Sequence, residues 1–241
     1  MVTIIAEAGI NHTGDMNLAK EMVCTARSVG ADVFKTQLYD VDKVFPNGLI
    51  MAQGRNWYNE VKKTQFSKEQ VFALAECCRS HKIEFMASAF DLERLSWLEE
   101  IGVKRHKIAS RMNLNREHLE AVISTGKEIL LSCTLDYYSP LSLPMNTKFL
   151  YCIPQYPTPL TEVHLKDVDF QRYDGFSDHA VGIEAAMVAI SRGARIIEKH
   201  FTLDRALPGP DQICSANPKE LKELVKFARK VEELLDAGSV T

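Results

Sequence analysis

The feature that most constrains the fold is a repeated alternation of short apolar runs with amphipathic segments. Eight runs rich in Ile, Val, Phe and Leu predict strands: TIIAEAG from Thr3, DVFKTQL from Asp32, IEFMAS from Ile83, RHKIAS from Arg105, EILLS from Glu128, KFLYC from Lys148, GFSDH from Gly175 and RIIEKHF from Arg195. Helical spacing occurs in residues 17–30, 67–81, 92–102, 115–126, 182–194 and 219–235, and several of these segments end in Gly. This order predicts a (β/α)8 TIM barrel, a fold that typically needs about 250 residues.

The fifth crossover departs from this pattern. After the strand EILLS comes TLDYYSPLSLPMN, residues 134–146, which is short and interrupted by prolines. Because proline breaks a helix interior, we expect helix five to be missing or shortened, leaving a gap in the outer ring. An open doubly wound sheet remains the alternative, since periodicity does not show whether the sheet closes.

Composition excludes several classes of protein. With 241 residues and 46% hydrophobic content, we expect residues 1–241 to form a single domain with its own core. The net charge of -3, with scattered basic residues, argues against a nucleic-acid partner. The chain has no basic leader and no apolar run of about 20 residues, so we expect no membrane partner and a cytoplasmic location. Its six cysteines fit neither a disulfide scaffold nor a zinc site.

Polar residues collect at the ends of the predicted strands. In a TIM barrel the active site lies at the C-terminal face of the strands, so residues at those ends are the informative ones. They are Glu7, Asn11, His12, Lys35, Gln37, Ser88, Lys107, Ser110, Ser132, Asp178, His179, Glu198 and His200. Each of them alone is compatible with a strand that simply meets solvent. Together, two lysines and several serines predict a cradle for a phosphate or carboxylate group.

Two histidines follow neighbouring strands. Adjacent strands lie about 4.8 Å apart, so His179 and His200 are predicted to reach one metal ion. Two unrelated histidines, one packed and one hydrogen-bonded, remain the alternative. Two nitrogen ligands with open positions suit Mn, Fe, Co or Zn better than Ca, and such a site polarises a substrate oxygen or a bound water.

Several longer motifs point to a known family. IIAEAGINHTGD, KTQ, YPTP, FSDHAVGIEAA and EKHFTLDRALPGPD are spread over nearly the whole chain. Together they resemble the sialic acid synthase family, also called the NeuB-like or N-acetylneuraminate synthase family. The resemblance implies a barrel that condenses phosphoenolpyruvate with an aldose, such as N-acetylmannosamine or a related sugar. The products would be phosphate and a 2-keto-3-deoxy sugar acid for surface polysaccharide. It also implies a homodimer and a divalent metal, Mn2+ first and Mg2+ or Co2+ as alternatives.

The resemblance also implies roles for individual residues. Glu7, His179 and His200 would be catalytic, and the two histidines would also be the metal ligands. Phosphoenolpyruvate would be held by Lys35, Lys107, Ser110, Ser132 and Ser177. The acceptor sugar would contact Gln37, Ser88, Tyr156 and Asp211.

The chain departs from the family pattern in several places. Met112 stands where the family has a Glu, and Pro154 stands where it has an Asn. Arg111, if it lies at the barrel mouth, favours an acceptor with a carboxylate or phosphate; otherwise it is a surface arginine. We also expect the chain to lack the family's C-terminal antifreeze-like domain.

These departures keep three hypotheses open. The first is the condensing enzyme. The second is a metal-dependent keto-acid aldolase or lyase that uses the same anion cradle. The third is a non-catalytic homologue that binds phosphoenolpyruvate or a sugar acid, or that pairs with an active subunit.

Overall fold

Eight parallel strands close into a barrel in the computed structural model, which describes residues 1–236. They are β1 Thr3–Gly9, β2 Val33–Leu38, β3 Glu84–Ala89, β4 Arg105–Ile108, β5 Glu128–Cys133, β6 Thr147–Cys152, β7 Gly175–Asp178 and β8 Ile196–His200. Each strand pairs with its neighbours in sequence, and β8 pairs with β1. The predicted TIM barrel is confirmed, and the open sheet is excluded.

Six helices cover the barrel. They are α1 Met16–Ser28, α2 Lys68–Ser80, α3 Leu92–Ile101, α4 Arg116–Ser124, α5 Glu184–Ser191 and α6 Pro218–Asp236. Local signals set their ends: Ser67 and Gln70 form a capping box before α2, and Gly102 ends α3 in the left-handed region with a φ of 76°. Within residues 1–236, none of the helices combines the length and apolar character that crossing a membrane requires.

Two consecutive crossovers lack an α-helix. Residues 134–146 form only turns and bends, so the prediction for helix five is confirmed. Residues 153–174, which connect β6 to β7, contain only the 3-10 turns Leu160–Glu162 and Leu165–Asp167. This second gap was not predicted. Pro157 and Pro159 account for it, because both lie at the start of the connection and disfavour a helix there.

The connection from β2 to α2 is long and ordered. This mouth segment, residues 39–66, contains the short helices Val41–Val44 and Tyr58–Lys63 and a hairpin that pairs Met51–Ala52 with Arg55–Asn56. It packs around a small apolar cluster of its own that includes Trp57. The Gln53 side chain donates to the Pro210 carbonyl at 2.7 Å, so the segment reaches the loop after β8. Its elements are too short for periodicity to predict.

The barrel interior changes from apolar to polar in one layer. Ile5, Val33, Met86, Leu130, Leu150 and Ile196 form an apolar cluster inside the barrel. Two residues further along the same six strands lie Glu7, Lys35, Ser88, Ser132, Cys152 and Glu198, each at most 4% exposed. Because side chains alternate across a strand, this second set points into the same interior, one layer nearer the C-terminal face. The candidate site is built on that layer.

Candidate active site

An ionic cluster occupies the centre of the barrel. Lys35 Nζ lies 2.6 Å from Glu7 Oε2 and 3.3 Å from Glu198 Oε2. Lys107 Nζ donates to Ser132 Oγ at 2.7 Å and lies 3.5 Å from Glu198 Oε1. Ser177 Oγ also donates to Glu198 Oε1, at 2.7 Å. The structure therefore brings together the two lysines and two of the serines that the sequence predicted as an anion cradle.

Glu198 is the central residue of this cluster, and neither its spacing nor the family resemblance assigned it a role. It contacts both lysines and the Ser177 hydroxyl. The sequence did contain a signal for this role. Glu198 lies two residues before His200 on β8, and because side chains alternate along a strand, both residues face the barrel interior. With Glu7 and Glu198 opposite Lys35 and Lys107, the cluster balances its charges internally, so an incoming anion must compete with Glu198 for the lysines.

The two carboxyl groups have different environments. Burial raises the pKa of Glu7 above its ordinary value, although Lys35 works in the opposite direction. Burial also opposes ionisation of Glu198, but Lys107 and Lys35, with the Ser177 hydrogen bond, hold its pKa below the ordinary value. Glu7 Oε1 has no hydrogen-bond partner among the described residues. Glu198 therefore stays ionised, and Glu7 is the carboxyl group placed to exchange a proton.

The two predicted metal ligands lie side by side above this cluster. The ring centroids of His179 and His200 are 5.6 Å apart. His179 Nδ1 donates to the Ile153 carbonyl at 2.7 Å, which leaves the lone pair on Nε2. Nε2 lies 3.4 Å from Ser177 Oγ, whose proton is donated to Glu198, so the lone pair can serve a ligand. Burial lowers the pKa of His179 to about 4 and that of His200 well below its ordinary value, so both rings are neutral near pH 7.

These imidazoles fit a divalent metal ion with few protein ligands. His200 Nδ1 is buried and has no hydrogen-bond partner in residues 1–236, as expected for a nitrogen that serves a ligand. Asp211 Oδ2 lies 3.9 Å from this nitrogen, and burial raises the pKa of Asp211 to about 7. In the same range, no three His, Cys, Asp or Glu side chains are grouped to hold an ion. Water and substrate would have to complete the coordination of a metal held by the two histidines.

A cavity of about 1020 Å³ opens above the cluster. Of the residues predicted to bind substrate, its walls include Gln37, Ser110, Tyr156 and Asp211. The Tyr156 ring packs against His179, with centroids 4.1 Å apart, so this wall continues down to the histidine pair. Ser88, which was predicted to contact the sugar, lies instead in the ionic layer, fully buried and with its hydroxyl unpaired among the described residues.

The positions that depart from the family pattern lie in different places. Met112 packs against the hydrophobic core between strands and helices rather than lining the cavity. Pro154 and Arg111 both line the cavity. The Arg111 guanidinium lies 4.5 Å from the centroid of the Phe45 ring in the mouth segment. Within residues 1–236 no carboxylate lies within ion-pair distance of it, which leaves its charge available to a ligand.

Several known proteins with related sequences are named as synthases. N,N'-diacetyllegionaminic acid synthase of Legionella pneumophila is 36% identical, over 98% of this chain and 73% of its own length. N-acetylneuraminate-9-phosphate synthase of Mus musculus is 31% identical, over 99% of this chain and 72% of its own length. The prediction of a synthase-type transferase is confirmed by these relatives.

Solved structures and a family model agree with these relatives. The crystal structure of N-acetylneuraminic acid (sialic acid) synthetase from Leptospira borgpetersenii superposes with a TM-score of 0.87 at 34% identity, over the whole of this chain and 87% of that one. The model of the NeuB family matches residues 22–240. With the barrel, the ionic cluster and the histidine pair in place, these matches show that the chain belongs to the NeuB family.

Proposed function

We propose that this protein condenses phosphoenolpyruvate with an aldose in a metal-dependent reaction that yields a 2-keto-3-deoxy sugar acid and phosphate. The observation that carries the proposal is the stacking of three features along the barrel axis. Lysines and serines at the centre suit an anion, two neutral imidazoles lie above them, and a cavity large enough for a sugar opens above those. Relatives named as N,N'-diacetyllegionaminic acid and N-acetylneuraminate-9-phosphate synthases support a sugar-acid product, and a relative named as a spore coat polysaccharide biosynthesis protein supports a place in polysaccharide synthesis. The acceptor in this proposal is an N-acetylmannosamine-like aldose.

The lysine and serine side chains would hold phosphoenolpyruvate. Lys35 and Lys107 are buried and come from different strands, so their charges surround a fixed position. Ser132 and Ser177 lie beside them as hydroxyl donors, and Ser110 lies at the cavity floor on the turn after β4. An anion that displaces Glu198 from these donors would gain charge-assisted hydrogen bonds in a site shielded from water.

His179 and His200 would hold the metal, and the cavity wall would hold the sugar. When bound, the divalent ion supplies Lewis-acid polarisation of the aldehyde carbonyl. Tyr156 packs against His179 and offers an aromatic face to the sugar, while Gln37 and Asp211 offer polar groups around it. Together, the histidines and the cavity wall would keep the aldehyde carbon next to C3 of the enol.

Glu7 would handle the proton and water chemistry. C3 of phosphoenolpyruvate bonds to the aldehyde carbon, water adds to C2, and the C2–O bond to phosphate breaks, which balances the reaction. Glu7 has one oxygen bound to Lys35 and the other unpaired among the described residues. Its raised pKa makes the Glu7 carboxylate a stronger base, which suits it to take a proton from the water that attacks C2, and while ionised it would also stabilise positive charge at C2.

A direct assay tests this proposal. The protein is incubated with phosphoenolpyruvate, Mn2+ and a panel of aldoses that includes N-acetylmannosamine and its 6-phosphate, and phosphate and 2-keto acid are both measured. We expect equal amounts of the two products, and only when an aldose is present. Phosphate release without an aldose, or no release with any of them, would contradict the proposal.

Two further measurements, sugar-acid cleavage and calorimetry, separate the other hypotheses. A keto-acid aldolase or lyase would cleave a sugar acid without phosphoenolpyruvate, and a binding homologue would bind phosphoenolpyruvate in calorimetry without turnover. The homodimer, the cytoplasmic location and Mn2+ as the preferred metal stay predictions, to be tested by solution scattering, cell fractionation and metal replacement.

A further inference from the structure

A buried ion pair lies beside the two histidines, on the outer side of the barrel wall. Asp178 ends β7 and Lys199 is the penultimate residue of β8, and the two are direct partners in the β7–β8 ladder. Lys199 Nζ lies 3.0 Å from Asp178 Oδ2, and both side chains are 0% exposed. Because side chains alternate, they face away from the interior that Glu198 and His200 face. The pair is therefore separate from the substrate cradle.

This pair binds the backbone of Ala180, the residue that directly follows the proposed metal ligand His179. Asp178 Oδ1 accepts the Ala180 N–H at 2.8 Å, and Lys199 Nζ donates to the Ala180 carbonyl. His179 lies between Asp178 and Ala180, and its own carbonyl accepts the Thr158 N–H at 2.9 Å. Lys199 itself immediately precedes His200. One side-chain pair thus connects the backbone next to one histidine with the backbone next to the other.

The energetic cost of the pair argues for a geometric role. Removing two charges from water costs free energy that their attraction only partly offsets, and apolar side chains of similar volume can pack the same space as well or better. A buried pair that also makes directional backbone bonds, however, restricts the relative position of two strand ends in a way that apolar packing does not.

We propose that Asp178 and Lys199 are positioning residues that set the separation and orientation of the His179 and His200 rings, and so determine the metal affinity of the site. This inference rests on the proposed metal-dependent function. The pair touches neither substrate nor metal, and acts through the two strand ends that it joins.

Substitutions can separate positioning from simple stabilisation. Single variants Asp178→Asn and Lys199→Met each leave one partner buried without its counterpart, and should lower both thermal stability and Mn2+ affinity. The double variant Asp178→Leu/Lys199→Met removes the uncompensated buried charge of the single variants, although the Ala180 N–H and carbonyl lose their side-chain partners. It should recover part of the thermal stability that the single variants lose, while its Mn2+ affinity stays at least tenfold below wild type. Lys199→Arg, which keeps the positive charge and the hydrogen-bond donors, should retain most of the wild-type affinity for Mn2+.

A partly exposed control pair with the same kind of strand-to-strand bonding lies at the opposite end of β7. Lys148 Nζ lies 3.1 Å from Asp174 Oδ1, and Asp174 Oδ2 accepts the Phe149 N–H at 3.0 Å, so this pair also joins neighbouring strands through a side chain and a backbone bond. It lies at the N-terminal ends of β6 and β7, away from the histidines. Lys148→Met and Asp174→Asn should leave Mn2+ affinity unchanged.

Three measurements on the full chain decide the outcome: Mn2+ binding without substrate by electron paramagnetic resonance, thermal unfolding with EDTA present, and kcat with KM for phosphoenolpyruvate. We expect affinity and kcat to fall together in the double variant while KM for phosphoenolpyruvate stays within threefold. Wild-type Mn2+ affinity in the folded double variant would overturn the positioning role alone. A wild-type protein that binds no Mn2+ would overturn the proposed function and this inference together.

Discussion

At the scale of single residues, the surroundings of two glutamates shift their pKa values in opposite directions. Glu7 and Glu198 face the same barrel interior, and both lie within ion-pair distance of Lys35. The second lysine, Lys107, and the Ser177 hydroxyl keep Glu198 ionised, whereas one oxygen of Glu7 has no partner in the part of the chain that the structure describes. The pKa values of the two groups therefore move apart, a pattern typical of an acid and base pair in an active site.

Glu7→Gln tests this assignment. The amide keeps the shape of the side chain but can no longer exchange a proton, so we expect kcat to fall by roughly 10²- to 10⁴-fold. The KM for phosphoenolpyruvate should change little, because the two lysines remain. Steady-state kinetics with phosphate detection measures both constants. A kcat within threefold of wild type would exclude proton transfer by Glu7.

Arg111 provides a second test at this scale, because its guanidinium faces the cavity without a carboxylate within ion-pair distance among the described residues. Arg111→Gln removes the charge and keeps a polar side chain. We expect the KM for a phosphorylated aldose to rise by about 10- to 100-fold, as the loss of a charge-assisted hydrogen bond implies. The KM for the neutral aldose should stay within threefold. Equal effects on both sugars would assign Arg111 to packing against Phe45.

At the scale of elements, the mouth segment joins the barrel through an aromatic contact. His12, in the loop after β1, stacks on Phe66 at the end of the mouth segment, with ring centroids 4.0 Å apart. His12 Nδ1 accepts the Gly14 N–H at 3.1 Å. Burial lowers the pKa of His12 to about 3, so the ring is neutral in the folded protein. The loop before α1 and the segment before α2 therefore depend on an uncharged His12.

This contact predicts a pH dependence of stability. Since the pKa of His12 is lower in the folded protein than the ordinary value near 6.5, its contribution is complete above that value and is lost as the pH falls towards about 3. The free energy of unfolding should fall by up to about 1.4 kcal/mol per pH unit from this group. Urea titrations of wild type and His12→Gln across this range measure the difference. If the free energy of unfolding changes with pH by the same amount in wild type and in His12→Gln, the prediction is contradicted.

At the scale of the whole molecule, backbone pairing and apolar packing hold the barrel together. Hydrogen bonds between β8 and β1 close the sheet, and the apolar layer inside the barrel lies below the histidine pair. We therefore expect that EDTA, or the substitution His200→Ala, abolishes Mn2+ binding and turnover but leaves circular dichroism unchanged. The loss of affinity should exceed the roughly 10- to 100-fold that removal of a supporting residue costs. Turnover by His200→Ala would show that the metal assignment is wrong.

Much of the architecture could be predicted because it depends on local patterns. All eight strands lie within two residues of their predicted bounds, since each is a short apolar run between turn signals. The polar residues at the strand ends could be predicted as a group for the same reason. The mouth segment could not, because it contains only short turns and helices with no sustained period. The second gap in the helical ring was missed, although Pro157 and Pro159 were a signal for it of the same kind as the prolines in residues 134–146.

The sequence by itself determined eight strands in alternation with helices, the ends of those strands and the polar side chains that the ends carry, whereas the tertiary structure decided that the sheet closes into a barrel. Only the tertiary structure decided that Glu198 lies between both lysines, that Met112 packs into the core, and that Arg111 reaches the cavity. It also decided that Lys199 reaches across to the backbone beside His179. The physical reason is that these contacts join residues far apart in the chain, and their distances follow from the register in which the closed barrel aligns its strands.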